Sequence, residues 1–195
     1  MTKQTSRDKL LETATRLFYF QGFHGTGLNQ ILKESGAPKG SLYHYFPEGK
    51  EQIAEEAIER SKRQIGNVIQ HYMTKYDDVE EALNSHILAM AELFDMENGV
   101  EQYSHKMMPF GLLAAESAFM SERLSKACGD TYKYWESIYY TKLISNGYRD
   151  EAAVLISKTV SAWIEGAVTL SLSQRSNEPL VTISKVLPVL LKQYK

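Results

Sequence analysis

Residues 35–46 read Ser-Gly-Ala-Pro-Lys-Gly-Ser-Leu-Tyr-His-Tyr-Phe, and this stretch decides the fold of the N-terminal part of the chain. Before it, residues 28–32 carry apolar side chains at helical spacing, and Thr26 is predicted to cap the start of that short helix. Gly36 is predicted to end the helix. Pro38 suits the first turn of a new helix, where its missing N–H costs nothing. Two short helices joined by a glycine turn form a helix-turn-helix.

The second of these helices has an apolar face and a polar face. Leu42 and Phe46 stand at i and i+4, so they are predicted to face the interior together. The opposite side carries small, polar or aromatic residues whose hydroxyls and ring edges suit phosphates and thymine methyl groups. The residues expected to contact DNA are Lys39, Gly40, Ser41, Tyr43, His44 and Tyr45 in the groove, with Thr26 and Lys50 at backbone phosphates.

The span from about residue 7 to residue 57 resembles the DNA-binding domain of the TetR family of bacterial repressors. The resemblance is carried by Leu10, Ala14, Leu17, Phe18, Gly22-Phe23, Thr26 and above all Lys39-Gly40-Ser41-Leu42-Tyr43-His44-Tyr45-Phe46. It implies an all-α fold in which an N-terminal three-helix helix-turn-helix domain continues into a C-terminal helical domain for ligand binding and dimerisation. The implied function is transcription regulation by repression.

Three further features are similar to the LmrA/YxaF-like subgroup of that family. Residues 46–52, Phe-Pro-Glu-Gly-Lys-Glu-Gln, have one residue more before the lysine than most of the family. Met108-Pro109 and residues 165–167, Glu-Gly-Ala, also match the subgroup, although it usually has Cys-Pro at the first of these positions. The resemblance implies that the segment around Met108 lies near the inducer pocket.

The charge of the chain is unevenly distributed. Its net charge is −2, yet residues 1–50 hold seven Lys and Arg against four Asp and Glu. The N-terminal part is therefore basic and the remainder acidic, which favours DNA contact at the N-terminal end. Cys128 is a lone cysteine, so no disulfide framework is predicted. No export signal or membrane-spanning run is evident, and we expect a cytoplasmic protein that does not contact a membrane.

The rest of the chain has helical periodicity, without an alternating strand pattern. A long amphipathic helix at 50–75 is predicted to be shared by a DNA-binding domain, residues 1–49, and a ligand-binding and dimerisation domain, residues 50–195. Glycine, proline and asparagine signals separate the later helices. These are predicted at 78–96, 100–107, 110–127, 129–146, 150–175 and 180–193.

A helix-turn-helix of about fifty residues binds one half-site, so two copies on a palindromic operator are expected. The helices at 129–146 and 150–175 are the predicted homodimer interface, with small residues at 161–167 that allow close approach. On the residues alone an ordinary monomer core fits equally well, because buried and interface helices share one pattern. The predicted interface carries Trp135, Ile138, Tyr139, Ile156, Val160, Trp163, Ala167 and Leu170.

Residues 86–135 are rich in methionine and aromatic side chains, which suit a flat, partly apolar ligand. The same composition is also typical of a plain core. His86 and His105 are either donors to a ligand or ordinary histidines. The residues expected to bind a small-molecule inducer are Met90, Phe94, Tyr103, Met107, Met108, Phe110 and Trp135.

Catalysis is not expected. The nearest approach to a helical metal motif is Glu101 with His105, which has no second copy, and no base is linked to Cys128. We therefore predict no enzyme activity, metal or cofactor. The chain is interpreted as a ligand-responsive transcriptional repressor that releases double-stranded operator DNA when an inducer binds. The alternatives are a DNA-binding regulator without an inducer and an all-helical enzyme.

Overall fold

A computed structural model of the chain describes residues 5–94 and 110–195. These residues form nine helices and no strand, which confirms the predicted all-α class. The predicted helix at 100–107 lies outside the described residues. The helices are α1 (Ser6–Gly25), α2 (Leu28–Ser35), α3 (Lys39–Tyr45), α4 (Lys50–Lys75), α5 (Val79–Leu93), α6 (Phe110–Ser117), α7 (Glu122–Ser145), α8 (Asp150–Gln174) and α9 (Glu178–Tyr194).

Helices α1 to α3 form the predicted helix-turn-helix unit. Helix α1 begins with a capping box in which the Thr5 side chain accepts from the Asp8 N–H and the Asp8 carboxylate accepts from the Thr5 N–H. Gly36 has a left-handed φ of 64° and ends α2, as expected. Leu42 and Phe46 are fully buried, so the inward face of α3 is confirmed.

The cap predicted for α2 was wrong. Gly27 occupies the N-cap position of that helix and makes no side-chain cap bond. Thr26 instead follows the end of α1, where its hydroxyl donates 2.8 Å to the carbonyl oxygen of Gly22. This short-range bond turns the threonine back toward α1, and the hydroxyl is therefore not directed at the free N–H groups of α2.

The boundary predicted near residue 128 was also wrong. Helix α6 ends at Ser117, and α7 begins at Glu122 and continues without a break through Gly129. The Ser121 hydroxyl accepts 3.2 Å from the Leu124 N–H and so marks the start of α7. A glycine inside a helix costs only about 1 kcal/mol relative to alanine, which packing along α7 overcomes.

The chain divides into two compact units. The first comprises residues 1–62 with 108–131, and the second comprises residues 63–107 with 132–195. Helix α6 and the first part of α7 therefore cluster with the helix-turn-helix, and α1 packs against α6. Helices α4 and α7 each contribute residues to both units. The functional boundary at residue 49 stays a prediction.

The second unit is built on α9, which packs against both α5 and α8. Two hydrogen bonds hold the segment between α7 and α8 against other helices of this unit. The Val79 N–H at the start of α5 donates 3.0 Å to Asn146 Oδ1, and the Tyr148 hydroxyl donates 3.3 Å to the Leu191 carbonyl of α9. The apolar core of this unit includes Ile69, Leu83, Ile87, Leu143, Ile156, Val160, Leu180 and Leu187.

The residues named for a dimer interface lie mostly in the interior of this unit. Trp135, Ile138 and Tyr139 are buried, and so are Ile156, Val160 and Ala167 on α8. Only Leu170 of the named set is exposed, and Trp163 is half-buried. The apolar face of the predicted helix at 129–146 was therefore wrongly taken as an interface, because it fills the core of its own chain.

Helix α8 is long and apolar enough to cross a membrane by length and composition. Its most apolar stretch is 44% buried inside the chain. It also carries Lys158 and Glu165. This helix therefore gives only weak evidence for a membrane span.

Candidate nucleic-acid interface

The outer face of α3 is an exposed surface of polar and aromatic groups. Tyr43 is 58% exposed. Lys39, Gly40 and His44 are also exposed, and Ser41 and Tyr45 are half-buried. The His44 and Tyr45 rings meet edge to face with centroids 4.9 Å apart. The structure thus brings together the six groove residues that the sequence identified.

No side chain projects from Gly40, and a Cβ added there would meet no atom within 4 Å. This part of α3 is therefore open as well as flat. A helix inserted in the major groove needs room for its backbone, and its side chains then reach the base edges. The exposed surface of α3 meets both requirements.

Thr26 does not share this surface. Its side chain is fully buried, and its hydroxyl is engaged with Gly22. The phosphate contact assigned to Thr26 stays a prediction, and in this conformation its side chain supports the end of α1.

Lys50 is half-buried at the start of α4. Its ammonium nitrogen lies 4.3 Å from the centroid of the Phe23 ring, a cation–π contact. Burial lowers the pKa of Lys50, and the negative charge of Glu116 partly opposes that effect. The predicted phosphate contact of Lys50 is not tested by this arrangement and stays a prediction.

Arginines brace the helices that carry α3. Arg7 forms an ion pair with Glu56 and also lies over the Phe46 ring, 5.4 Å from its centroid. Arg16 forms an ion pair with Glu34, so α1 is tied to α2. These contacts hold α1 against α2 and α4, and none of them uses the exposed side chains of α3.

The predicted ligand residues fall into three groups. Met90, Phe94 and Trp135 are buried in the second unit, and Phe110 is buried in the first. Tyr103, Met107 and Met108 lie outside the described residues. The ligand-binding assignment of all seven residues therefore stays a prediction.

Polar groups accompany the apolar residues of the second unit. The Tyr139 hydroxyl lies 3.4 Å from His86 Nδ1, and the Tyr72 ring lies 5.5 Å from the His86 ring. Complete burial lowers the pKa of His86 to about 4, so the ring is neutral at pH 7. Of these three residues, sequence reasoning named His86 and Tyr139 but did not pair them, because they are far apart in the chain.

Glu165 on α8 is a half-buried carboxylate that the sequence did not identify as a site residue. Burial raises its pKa to about 7, and a hydrogen bond from Tyr132 partly counters this effect. The Tyr132 ring in turn meets Trp135 edge to face at 5.5 Å. A perturbed carboxylate beside aromatic rings is a candidate polar group of a binding site.

An open groove of about 810 Å³ lies in the first unit, between α4 and the start of α7. Charged side chains dominate its lining, and the predicted ligand residues that the structure describes, Met90, Phe94, Phe110 and Trp135, do not contribute to it. It is therefore not the aromatic pocket expected from the sequence. The lining comprises Glu55, Glu56, Ile58, Glu59, Lys62, Glu122, Arg123, Lys126, Ala127 and Asp130.

Comparison with known proteins agrees with this architecture. Residues 10–57 match the family described as bacterial regulatory proteins, tetR family. Residues 80–186 match the C-terminal domain of LmrA/YxaF-like transcriptional regulators. The first match covers the helix-turn-helix, and the second covers most of the remaining chain.

Two relatives from Bacillus subtilis match over nearly their whole length. The HTH-type transcriptional regulator LmrA is 44% identical over 193 residues, which are 99% of this chain and 100% of LmrA. The HTH-type transcriptional regulator YxaF is 43% identical over 188 residues, 96% of each chain. Both are transcriptional regulators and not enzymes, which confirms the expectation that this protein is not an enzyme.

Solved structures have the same fold. The reduced form of E. coli NemR gives a TM-score of 0.78 at 23% identity, over 93% of this chain and 94% of NemR. A TetR transcriptional regulator from Legionella pneumophila gives 0.81 at 17% identity, over 100% of both chains. With a helix-turn-helix in its N-terminal part and family matches along both parts of the sequence, the chain belongs to the TetR family of transcriptional regulators and has an LmrA/YxaF-like C-terminal domain.

Proposed function

We propose that this protein is a ligand-responsive repressor that binds a palindromic operator as a homodimer and releases it when a small molecule binds. TetR-family regulators bind operator DNA and typically act as dimers with small-molecule ligands. The observation that carries the proposal for this chain is the outer face of α3, where Tyr43 is 58% exposed while Leu42 beside it is fully buried. A large aromatic side chain held out from a rigid helix suits contact with a partner.

The DNA-binding step is tested with Tyr43. A duplex selected by the wild-type protein from a random-sequence pool serves as the operator in a gel-shift titration. Tyr43→Ala is expected to weaken binding at least about fivefold for each half-site, because one good base contact is worth about 1–3 kcal/mol. Tyr43→Phe separates the ring from its hydroxyl. An unchanged affinity in the alanine variant, with the fold intact by circular dichroism, contradicts the assignment.

A second copy of the chain is proposed to cover exposed apolar residues of α8 and α9. Leu155 and Leu170 are 46% and 49% exposed, and Ala162 and Gly166 lie between them on the same side of α8. On α9, Val189 is 66% exposed. Small residues flanked by apolar side chains allow two helices to approach closely, so this face supports an isologous dimer interface.

Sedimentation measurements test the dimer. Gly166→Glu places a charge at the centre of the proposed interface and is expected to give a monomer that loses operator binding. Lys75→Glu changes the charge at an exposed position at the end of α4, away from α8 and α9, and serves as the comparison. A Gly166→Glu protein that remains dimeric contradicts the interface assignment.

The inducer is proposed to bind in the second unit, where buried Met90, Phe94 and Trp135 supply apolar surface and His86 with Glu165 supplies polar groups. We propose that bound ligand displaces α4, whose first turns belong to the first unit. The two α3 helices of the dimer would then no longer have the separation that the two half-sites of the operator require. Such coupling is typically worth about 1–3 kcal/mol.

A thermal-shift screen separates this proposal from the alternative of a regulator without an inducer. A compound that binds the native state must raise the melting temperature once its concentration exceeds its dissociation constant. A hit is then added to the gel shift. A compound that binds tightly and never changes operator affinity favours the alternative. Binding to chromosomal DNA also implies a cytoplasmic location, which we include in the proposal.

A further inference from the structure

Helix α1 is interrupted by a single residue of unusual backbone conformation. Gly22 has φ 74° and ψ 170°, a region that is essentially restricted to glycine. The chain then continues for three residues to Thr26 and enters α2. The direction in which the chain approaches the helix-turn-helix is therefore set at Gly22.

A carboxylate from α6 is bound against this interruption. The Phe23 N–H donates 2.6 Å to Glu116 Oε2, across 93 residues of sequence. A Cβ built on Gly22 would lie 2.5 Å and 2.6 Å from the two carboxylate oxygens. Gly22 is thus required both by its φ angle and by the close approach of Glu116.

The same carboxylate acts on the start of α4. Its negative charge raises the pKa of Lys50 against the lowering caused by burial. The Lys50 ammonium lies over the Phe23 ring, whose backbone N–H is the group that Glu116 binds. One side chain of α6 therefore contacts the end of α1 and acts electrostatically on the first residue of α4.

Both of these positions control where α3 lies. Helix α3 packs on α1, and only four residues separate its end at Tyr45 from Lys50. Further along, Ser121 donates to Glu51, and Arg123 forms ion pairs with Glu48 and Glu55. The segment after α6 thus holds the α3–α4 junction as well.

The geometry points to Glu116 as a positioning residue for DNA binding: its carboxylate holds the Gly22–Phe23 backbone and so fixes the orientation of α2 and α3 for the operator. This inference rests on the proposed operator binding and names a residue outside the helix-turn-helix that controls it. Helix α6 begins with buried Phe110, a predicted ligand residue, so one short helix of the first unit carries both that residue and Glu116.

Three substitutions separate the reach of the side chain from its charge. Glu116→Gln keeps the length and an acceptor oxygen for the Phe23 N–H. Glu116→Asp keeps the charge but is one methylene too short, and Glu116→Ala removes both. Glu122→Ala removes a carboxylate from an exposed position six residues later and is the matched control.

Operator affinity and amide exchange are measured on the intact dimer. The alanine and aspartate variants are expected to bind the duplex selected by wild type about tenfold more weakly, the equivalent of one net hydrogen bond, while the glutamine variant stays within about twofold. Hydrogen exchange at the Phe23 amide is expected to accelerate in the same two variants only. Glu122→Ala is expected to match wild type in both measurements.

The two measurements distinguish the possible failures. Wild-type operator affinity in a folded Glu116→Asp protein whose Phe23 amide has lost protection overturns the positioning role. A glutamine variant as weak as the alanine variant also overturns it, because charge and not the hydrogen bond would then control affinity. If Glu116→Ala does not fold, the aspartate and glutamine pair still decides the question. Failure of wild type to select any duplex contradicts operator binding itself and leaves the exchange result to report on the hydrogen bond.

Discussion

Aromatic side chains are placed in opposite ways on the outer face of α3 and in the core of the second unit. On α3 in the first unit, Tyr43 is 58% exposed, whereas Phe94, Trp135 and Tyr139 in the second unit are 3% to 4% exposed. The same kind of residue therefore has a different use in each region. An aromatic side chain that a rigid helix exposes to solvent can contact a large partner such as DNA. Buried aromatic side chains near a neutral histidine can form a hydrophobic core or line an enclosed small-molecule site.

The largest expected effect is the loss of stability caused by truncating a buried aromatic side chain in the first unit. Phe46 is fully buried next to the DNA-reading helix, and Phe20 on α1 is 50% exposed. Phe46→Ala is expected to lower the free energy of unfolding by about 3–4 kcal/mol, because it removes a packed ring and leaves a cavity. Thermal and chemical denaturation at fixed protein concentration measure the loss.

Phe20→Ala is the matched control and is expected to change stability by less than about 0.5 kcal/mol, as is usual for exposed positions. Equal losses in the two variants would contradict the division into buried and exposed aromatics. Operator binding is then measured on the folded fraction alone, so that loss of fold is not mistaken for loss of a contact.

The sequence could predict the local geometry of the helices but not the contacts between distant parts of the chain. The face of α3 was identified correctly because Leu42 and Phe46 stand one turn apart, and helical geometry then fixes where Tyr43 points. The break at Gly129 was wrong, since packing overrides the weak preference of one glycine. The bond from Phe23 to Glu116 had no sequence signal, because it joins residues 93 positions apart. Local geometry was predictable, and long-range contacts were not.

Glu165 tests the polar side of the second unit and has the next largest expected effect. Burial raises its pKa to about 7, above the 4.5 of an ordinary glutamate. Between these values the folded protein holds a proton that the unfolded chain releases, so this group lowers stability as the pH rises from about 4.5 to about 7. Glu165→Gln removes the titration and keeps an acceptor for Tyr132.

The glutamine variant is therefore expected to exceed wild type in stability by about 2 kcal/mol at pH 8 and by less than about 1 kcal/mol at pH 5. The opposing titration of His86 is present in both proteins and cancels in their difference. Glu151→Gln, at an exposed position of the same helix, is the matched control. A difference between Glu165→Gln and wild type that is constant from pH 5 to pH 8 contradicts the burial of this carboxylate.

The smallest expected effects concern the two lysines beside the exposed aromatic face. Lys39 is exposed at the start of α3, and Lys50 lies over Phe23. Each phosphate contact contributes about 0.9 to the slope of log affinity against log salt concentration, and the proposed dimer carries two copies of each lysine. Lys50→Ala is therefore expected to reduce the slope by about two, and Lys39→Ala, at a predicted groove contact, by less. Titrations of the selected duplex at several salt concentrations measure it.

Affinity at one salt concentration should nevertheless separate the two lysines. Lys50 gives up a cation–π contact worth about 0.5–1 kcal/mol when it turns to a phosphate, so Lys50→Ala should lose less affinity than Lys39→Ala. Lys75→Ala, at an exposed position at the end of α4, is expected to leave both slope and affinity unchanged. An unchanged slope in Lys50→Ala would mean that this ammonium stays on the Phe23 ring in the complex. Lys50 would then belong with Glu116 to the contacts that hold α3 in position, and not to the phosphate contacts.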